Sequence, residues 1–184
     1  MVKRWAIMAS HVGVLLAGLT SPLMTHAADT LQLRSPAFSA GGAIPLQYTC
    51  EGENHPPPLS WSNVPVGTQS LLLIVDDPDA PDPAAPRMTW VHWLLYDLPP
   101  DVQGLAGGTT ALPQGTREGR NDFKRGAWGG PCPPIGRHRY FFKLYALDRK
   151  LSELSAPDKA ALLAASRDHI LAEAVLQGTY QKQH

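Results

Sequence analysis

Leu71-Leu72-Leu73-Ile74-Val75 runs directly into Asp76-Asp77-Pro78-Asp79-Ala80-Pro81. The first five residues form an apolar run bounded by polar residues, the pattern of a strand buried on both faces. The next six pack three carboxylates around two prolines. Proline fixes φ, removes a donor and pushes the preceding residue into an extended conformation. The acidic side chains are therefore expected on a stiff loop at the rim of a core, where desolvation raises the cost of ionisation. Such a loop is either a turn of unusual charge density, with aspartates bonding their own backbone, or one wall of a site.

Two further strands follow this one in the sequence. Trp90 to Leu98 alternates Trp90, His92, Leu94 and Tyr96 against Val91, Trp93 and Leu95, which places each set on its own face. Arg139 to Leu147 sets Tyr140, Phe142, Leu144 and Ala146 opposite Phe141, Lys143, Tyr145 and Leu147. Leu31-Gln32-Leu33, Leu46-Gln47-Tyr48-Thr49 and Leu59-Ser60-Trp61 read as shorter strands. Eighteen prolines and sixteen glycines, spread along the chain, suit many strands joined by turns. Helix is expected only near the end. Ser155 serves as N-cap before Pro157 and Asp158, and Ala160 to Ala165 is rich in alanine and leucine. His169 to Leu176 repeats that pattern until Gly178 stops it. The class is mainly β, with one or two C-terminal α-helices.

The N-terminus carries Lys3 and Arg4, an apolar stretch from Val12 to Leu19, and Thr25-His26-Ala27. This reads as a secretory signal over residues 1–27, cleaved after Ala27. The alternative, a membrane anchor, is weakened by Ser10, His11, Thr20, Ser21 and Pro22, which leave too little for a span of about 20 apolar residues. Residues 28–184 then form a single domain, periplasmic or secreted, with no transmembrane segment and with enough length for a core. Sixteen basic residues balance sixteen acidic ones, and no basic run occurs, which argues against a nucleic-acid partner. Net charge alone also gives no attraction to an anionic membrane. Cys50 and Cys132 are the only cysteines. An exported pair suggests one disulfide, whereas two buried thiols would suit a reducing compartment.

Four segments hold chemistry: the Asp76–Pro81 loop, His92, the loop Trp128-Gly129-Gly130-Pro131-Cys132-Pro133-Pro134-Ile135-Gly136, and Arg137-His138-Arg139-Tyr140. Taken singly each has a plain structural reading, His92 as a hydrogen-bonded core residue, His138 as a strand end, Tyr140 as core. Taken together, Asp77-Pro78-Asp79-Ala80-Pro81, then His92, then Gly130 to Tyr140 resemble the motifs of the phosphatidylethanolamine-binding protein (PEBP) family, also called the Raf kinase inhibitor family. The Gly-Gly-Pro-Cys-Pro-Pro loop looks like its bacterial YbhB/YbcL-like branch. The resemblance spans about Leu31 to Tyr180.

The resemblance implies a β-sandwich, a large antiparallel central sheet with a smaller one, and a pocket for small anions such as phosphate or phospholipid head groups. It implies ligand-binding roles for Asp77, Asp79, His92, Pro133, His138 and Tyr140, with Gly130 and Cys132 on the rim. No cofactor, metal or catalytic residue is implied, and an inhibitory or regulatory role toward a kinase or protease is a further implication. Trp128 stands where the family often has tyrosine, and Pro56 where the bacterial branch has serine. The C-terminal segment Gly178 to His184 is expected to border the pocket. Physically, each aspartate is expected to orient a histidine so that imidazole N–H groups point into the pocket. Neighbouring carboxylates would favour imidazolium, so that anion affinity falls as pH rises. The competing reading is a small hydrolase, with Asp77, Asp79, His92 and His138 holding a metal or a histidine–aspartate pair activating a nucleophile. No Gly-x-Ser-x-Gly or His-Glu-x-x-His motif supports it, and the proline-interrupted aspartates fit a calcium loop poorly.

Overall fold

The computed structural model describes Met1, residues 30–108 and residues 111–183. The expected signal segment, residues 1–27, lies outside the described residues apart from Met1. Among the described residues, eight strands form two antiparallel sheets. The small sheet has the order β1-β2-β5, from Gln32–Arg34, Leu59–Ser62 and Gly104–Leu105. The large sheet has the order β6-β4-β3-β7-β8, from Arg117–Glu118, Trp90–Leu98, Ser70–Asp77, Arg137–Leu147 and Ile170–Gln181.

β3 lies at the centre of the large sheet and is buried along its whole length, as its unbroken apolar sequence requires. One face of the large sheet packs Leu71, Leu73, Val75, Phe142 and Leu144 against Leu33, Leu59, Trp61 and Leu105 of the small sheet. The other face packs Leu72, Ile74, Leu94 and Tyr96 under Leu151 and under Leu162 of helix α1, Lys159–Ser166. The molecule is thus layered small sheet, large sheet, helix.

Three local expectations are corrected. Leu46–Tyr48 is a short 3-10 turn rather than a strand, closed by Tyr48 N–H on the Pro45 carbonyl and Thr49 N–H on that of Leu46. The cap of α1 is Asp158, whose carboxylate accepts from Ala161 N–H at 2.9 Å, not Ser155. The alanine-rich segment after His169 is not a second helix but β8, paired with β7 from Ile170 to Gln181. Its inward side chains, Ala172, Ala174, Leu176 and Tyr180, belong to or pack on the main core. Period-two burial against a long neighbouring strand outweighs alanine's helix preference. Gly178 permits a close approach: a Cβ there would stand 2.6 Å from Ile44 Cγ1.

Candidate functional site

The end of β3 and the starts of β4 and β7 lie together at one edge of the large sheet, as antiparallel pairing of Asp77 with Trp90 and of Asp76 with Phe141 dictates. A cavity of about 260 Å³ opens there. It is walled by Asp77, His92, Cys132, Pro133, His138 and Tyr140 from the sequence-derived set. Ala80, Pro81, Met88, Trp90, Phe123 and Pro134 complete the lining.

The three carboxylates of the opening motif have three different partners. Asp76, fully buried on the helix side of the sheet, meets Lys143 Nζ at 2.9 Å and Lys159 Nζ at 2.5 Å. Asp77 turns to the other face, as strand alternation requires. Its Oδ1 accepts from Asp79 N–H at 2.8 Å, and its Oδ2 lies 2.7 Å from His138 Nδ1. Asp79 is clamped by Arg139. Its Oδ2 accepts from Arg139 N–H and Nε–H, both at 2.9 Å, and its Oδ1 accepts from Nη2 at 2.6 Å. The Arg139 hydrogen bonds hold the Asp79 carboxyl below its ordinary range, against burial, and Asp79 raises the Arg139 guanidinium in turn. Asp79 therefore lies outside the cavity lining and anchors the backbone between His138 and Tyr140. Gly130 is also absent from the lining. Its N–H donates to Asn54 Oδ1 at 2.8 Å, and a Cβ would stand 2.5 Å from the Tyr48 carbonyl oxygen.

The two histidines are not equivalent. His138 has no exposed surface, and its Nε2 lies 2.9 Å from the Ile135 carbonyl while Nδ1 faces Asp77. Both ring nitrogens thus face protein acceptors, and neither is spare for a ligand. His92 sets Nδ1 at 2.5 Å from the Gly129 carbonyl, so Nδ1–H is the donor and Nε2 carries a bare lone pair. That Nε2 is buried with no hydrogen-bond partner among the described residues, and so is Tyr140 Oη. Burial pushes the His92 pKa down, only partly offset by the Gly129 bond and the charges of Asp77, Asp76 and Asp122. The imidazole is therefore neutral at neutral pH. Burial, with Asp77 and Asp79 adding to it, drives the Tyr140 phenol far up, so it remains a hydroxyl. The expectation that carboxylates favour imidazolium at the pocket is thus reversed at His92, where desolvation is the larger effect. The expectation that imidazole N–H groups point into the pocket is also corrected.

The sheet itself explains why His92 and Trp93 do not fall on opposite faces as simple alternation predicts. The register of β3 with β4 shifts between Val75 and Asp76. Val91, Leu94 and Tyr96 consequently share the helix-side core, while Trp93 and Leu95 share the inter-sheet core. A local bulge re-aims one side chain, and here it frees His92 for the cavity. Asn121, buried, holds this stretch by donating Nδ2–H to the His92 and Ala127 carbonyls at 3.0 and 2.8 Å.

Phe123 is the lining residue with least warning in the sequence, a lone aromatic within Arg120-Asn121-Asp122-Phe123-Lys124-Arg125. Its ring meets Trp90 and His92 edge-on at 5.4 and 5.7 Å. Trp90, by contrast, is signalled by its spacing of two from His92. Cys50 and Cys132 have their Cα atoms 5.4 Å apart and their sulfurs at bonding distance, which ties the Pro131–Pro134 wall to the 3-10 turn region. Trp128 packs between Trp93 and Phe142 and donates Nε1–H to the Tyr48 carbonyl, away from the cavity. Pro56 also lies outside its lining, as do Gly178 to Gln183. A second, larger cleft of about 450 Å³ passes Trp93, Trp128, Glu53 and Glu118, but both its indole N–H groups have acceptors. Among the described residues, no group of three or more His, Cys, Asp or Glu side chains is gathered as metal ligands.

The family model described as phosphatidylethanolamine-binding protein matches residues 34–181. The chain is 45% identical over 155 residues to a UPF0098 protein of Methanothermobacter thermautotrophicus, covering 83% of this chain and 99% of that one. Among solved structures it is similar to a putative PEBP homologue of Chlamydia trachomatis, with TM-score 0.78, 44% identity, and 84% and 99% of the two chains covered. It is also similar to Escherichia coli YbcL, with TM-score 0.75, 32% identity, and 84% and 100% covered. With that fold and those motifs in place, the chain belongs to the phosphatidylethanolamine-binding protein family, in its YbcL-like bacterial branch.

Proposed function

We propose that this chain is an exported binding protein whose cavity holds a small phosphoryl anion, either a free phosphate compound or a phospholipid head group. The observation that carries the reading is the pair of buried, unpartnered polar atoms on the cavity wall, His92 Nε2 and Tyr140 Oη. Buried polar groups are rarely left unpaired without a reason, and a ligand would satisfy both. Tyr140 donates to a phosphoryl oxygen, and His92 Nε2 accepts from a proton that the ligand carries or brings with it. A volume of about 260 Å³ suits a head group rather than a drug-sized molecule, which takes roughly 300–1,000 Å³. Export and residence in the periplasm or outside the cell rest on the N-terminal sequence pattern and on the paired cysteines. A regulatory role toward a partner protein, of the kinase- or protease-inhibitor kind, would go with occupancy of this cavity.

Thermal unfolding with phosphate, phosphoethanolamine and divalent cations tests the reading. The phosphate compounds are expected to raise Tm, by mass action on the folded state, and Tyr140→Phe to reduce the rise. A rise with a divalent cation and none with phosphate compounds would favour the hydrolase alternative instead.

A further inference from the structure

We propose that the cavity is a site of thiol–disulfide exchange: a small thiol opens the Cys50–Cys132 bond by attack at Cys132, and His92 Nε2 takes its proton. Cys132 forms part of the cavity wall and Cys50 does not, so the disulfide presents one end to a ligand held inside. Both residues are exposed. Exposed disulfides are the ones that exchange, whereas structural ones resist reduction. A bridge that only joined two loops would need no place in the cavity wall.

The same wall holds the base. A thiol attacks as its thiolate, so a neutral thiol needs a proton acceptor where it binds. His138 has both ring nitrogens against acceptors, Asp77 and the Ile135 carbonyl, and Asp77 is bonded to His138 and to Asp79 N–H. His92 Nε2 is the acceptor left over, buried and without a hydrogen-bond partner among the described residues. Its Nδ1–H is fixed on the Gly129 carbonyl, which keeps the lone pair on Nε2. The charged and titratable groups around the ring come from three directions. Asp76 and Asp77 end β3, Asp122 lies in the loop after β6, and Tyr140 of β7 meets the ring edge-on with centroids 5.2 Å apart.

The step balances without a further reactant. The thiol S–H bond breaks and its proton passes to His92 Nε2. The thiolate sulfur bonds to Cys132 Sγ as the Cys132–Cys50 bond breaks, and Cys50 Sγ leaves with that electron pair. Cys50 then takes up a proton from solvent, and His92 returns one. The incoming sulfur is oxidised and Cys50 is reduced, so one S–S bond replaces another. The wall keeps its place when the bond opens. Cys50 N–H donates to the Pro131 carbonyl at 3.1 Å, and Pro131, Pro133 and Pro134 fix the chain on either side of Cys132. Cys50 therefore stays beside Cys132 and closes the bond again when the thiol is released. This inference goes beyond the phosphoryl reading and does not depend on it, since the two ligands compete for the same nitrogen.

The test treats the full chain with 2-mercaptoethanol in phosphate-free buffer, traps free thiols early with N-ethylmaleimide, and maps the labelled peptides by mass spectrometry. The parent is compared with His92→Asn, whose amide keeps a donor for the Gly129 carbonyl but lacks Nε2. Mercaptoethanol is expected on Cys132 and maleimide on Cys50. Near neutral pH the His92→Asn rate should fall about a hundredfold, the loss of a positioned base. At a pH where the thiol ionises unaided, variant and parent should react equally fast, which a damaged fold would not restore. Mercaptoethanol shared evenly between Cys50 and Cys132 would overturn the proposal, as the behaviour of a merely exposed disulfide. Equal rates for parent and variant near neutrality would overturn it as well, and so would a deficit that persists at high pH. With no phosphate compound present, the outcome is independent of whether the cavity binds one.

Discussion

At the scale of single residues, the site is organised by what each polar atom is already bonded to. Asp77 is the hub, since one oxygen fixes the following loop through Asp79 N–H and the other holds His138. Removing it strands a buried imidazole and a buried N–H together. Asp77→Ala is therefore expected to destabilise the fold by about 1–3 kcal/mol, the cost of leaving buried hydrogen-bonding groups without a partner. Asp77→Asn, which keeps an acceptor for Asp79 and offers a donor to Nδ1, should recover much of the loss. Urea denaturation of the two variants checks this, and a loss below about 1 kcal/mol for Asp77→Ala would remove Asp77 from that role. Part of this follows from the sequence: a spacing of two along a strand sets His138 and Tyr140 on one face, and both line the cavity. The assignment of Asp79 to the cavity was not safe, because its partner is Arg139, and nothing in a motif tells which neighbouring cation a carboxylate will choose.

At the scale of elements, the clearest lesson is β8. Ile170-Leu171-Ala172-Glu173-Ala174-Val175-Leu176 satisfies helix propensity residue by residue, yet it pairs along nearly all of β7. Alanine is small enough to read as apolar at either period, so the sequence signal was ambiguous. What settles it is the neighbour, an 11-residue strand whose free edge needs covering. Gly178 belongs to the same argument, since it is not a helix stop but a point of close packing against Ile44 and Phe38. Gly178→Val is accordingly expected to cost about 1–3 kcal/mol by overpacking. A helix-stop role would predict little change, and thermal or urea unfolding distinguishes the two. The bulge at His92 was equally hidden, because register shifts arise from cross-strand pairing that no single strand encodes.

At the scale of the whole molecule, the central buried strand was readable from its apolar run, whereas the two-sheet architecture and a pocket came only as implications of the family resemblance that the motifs carry. The electrostatic state of the site was not readable, because burial depth decides it. A carboxylate-rich sequence suggested a charged histidine, whereas the folded protein keeps His92 neutral through desolvation. The sign of the pH dependence follows from this. With the His92 pKa lowered, the empty cavity holds no proton on Nε2 near neutrality, so a phosphate monoester bound through that nitrogen must bring one. Below the second phosphate ionisation, about pH 6, the ligand already carries it. Above that point each complex takes one up from solution, and affinity should fall about tenfold per pH unit. The decisive measurement is calorimetric titration of phosphoethanolamine at several pH values, in buffers of differing ionisation enthalpy. A plateau below about pH 6, then a steady decline with uptake of close to one proton per ligand, is the predicted result. Affinity that stays flat from about pH 5.5 to 8 with no proton uptake would contradict the account.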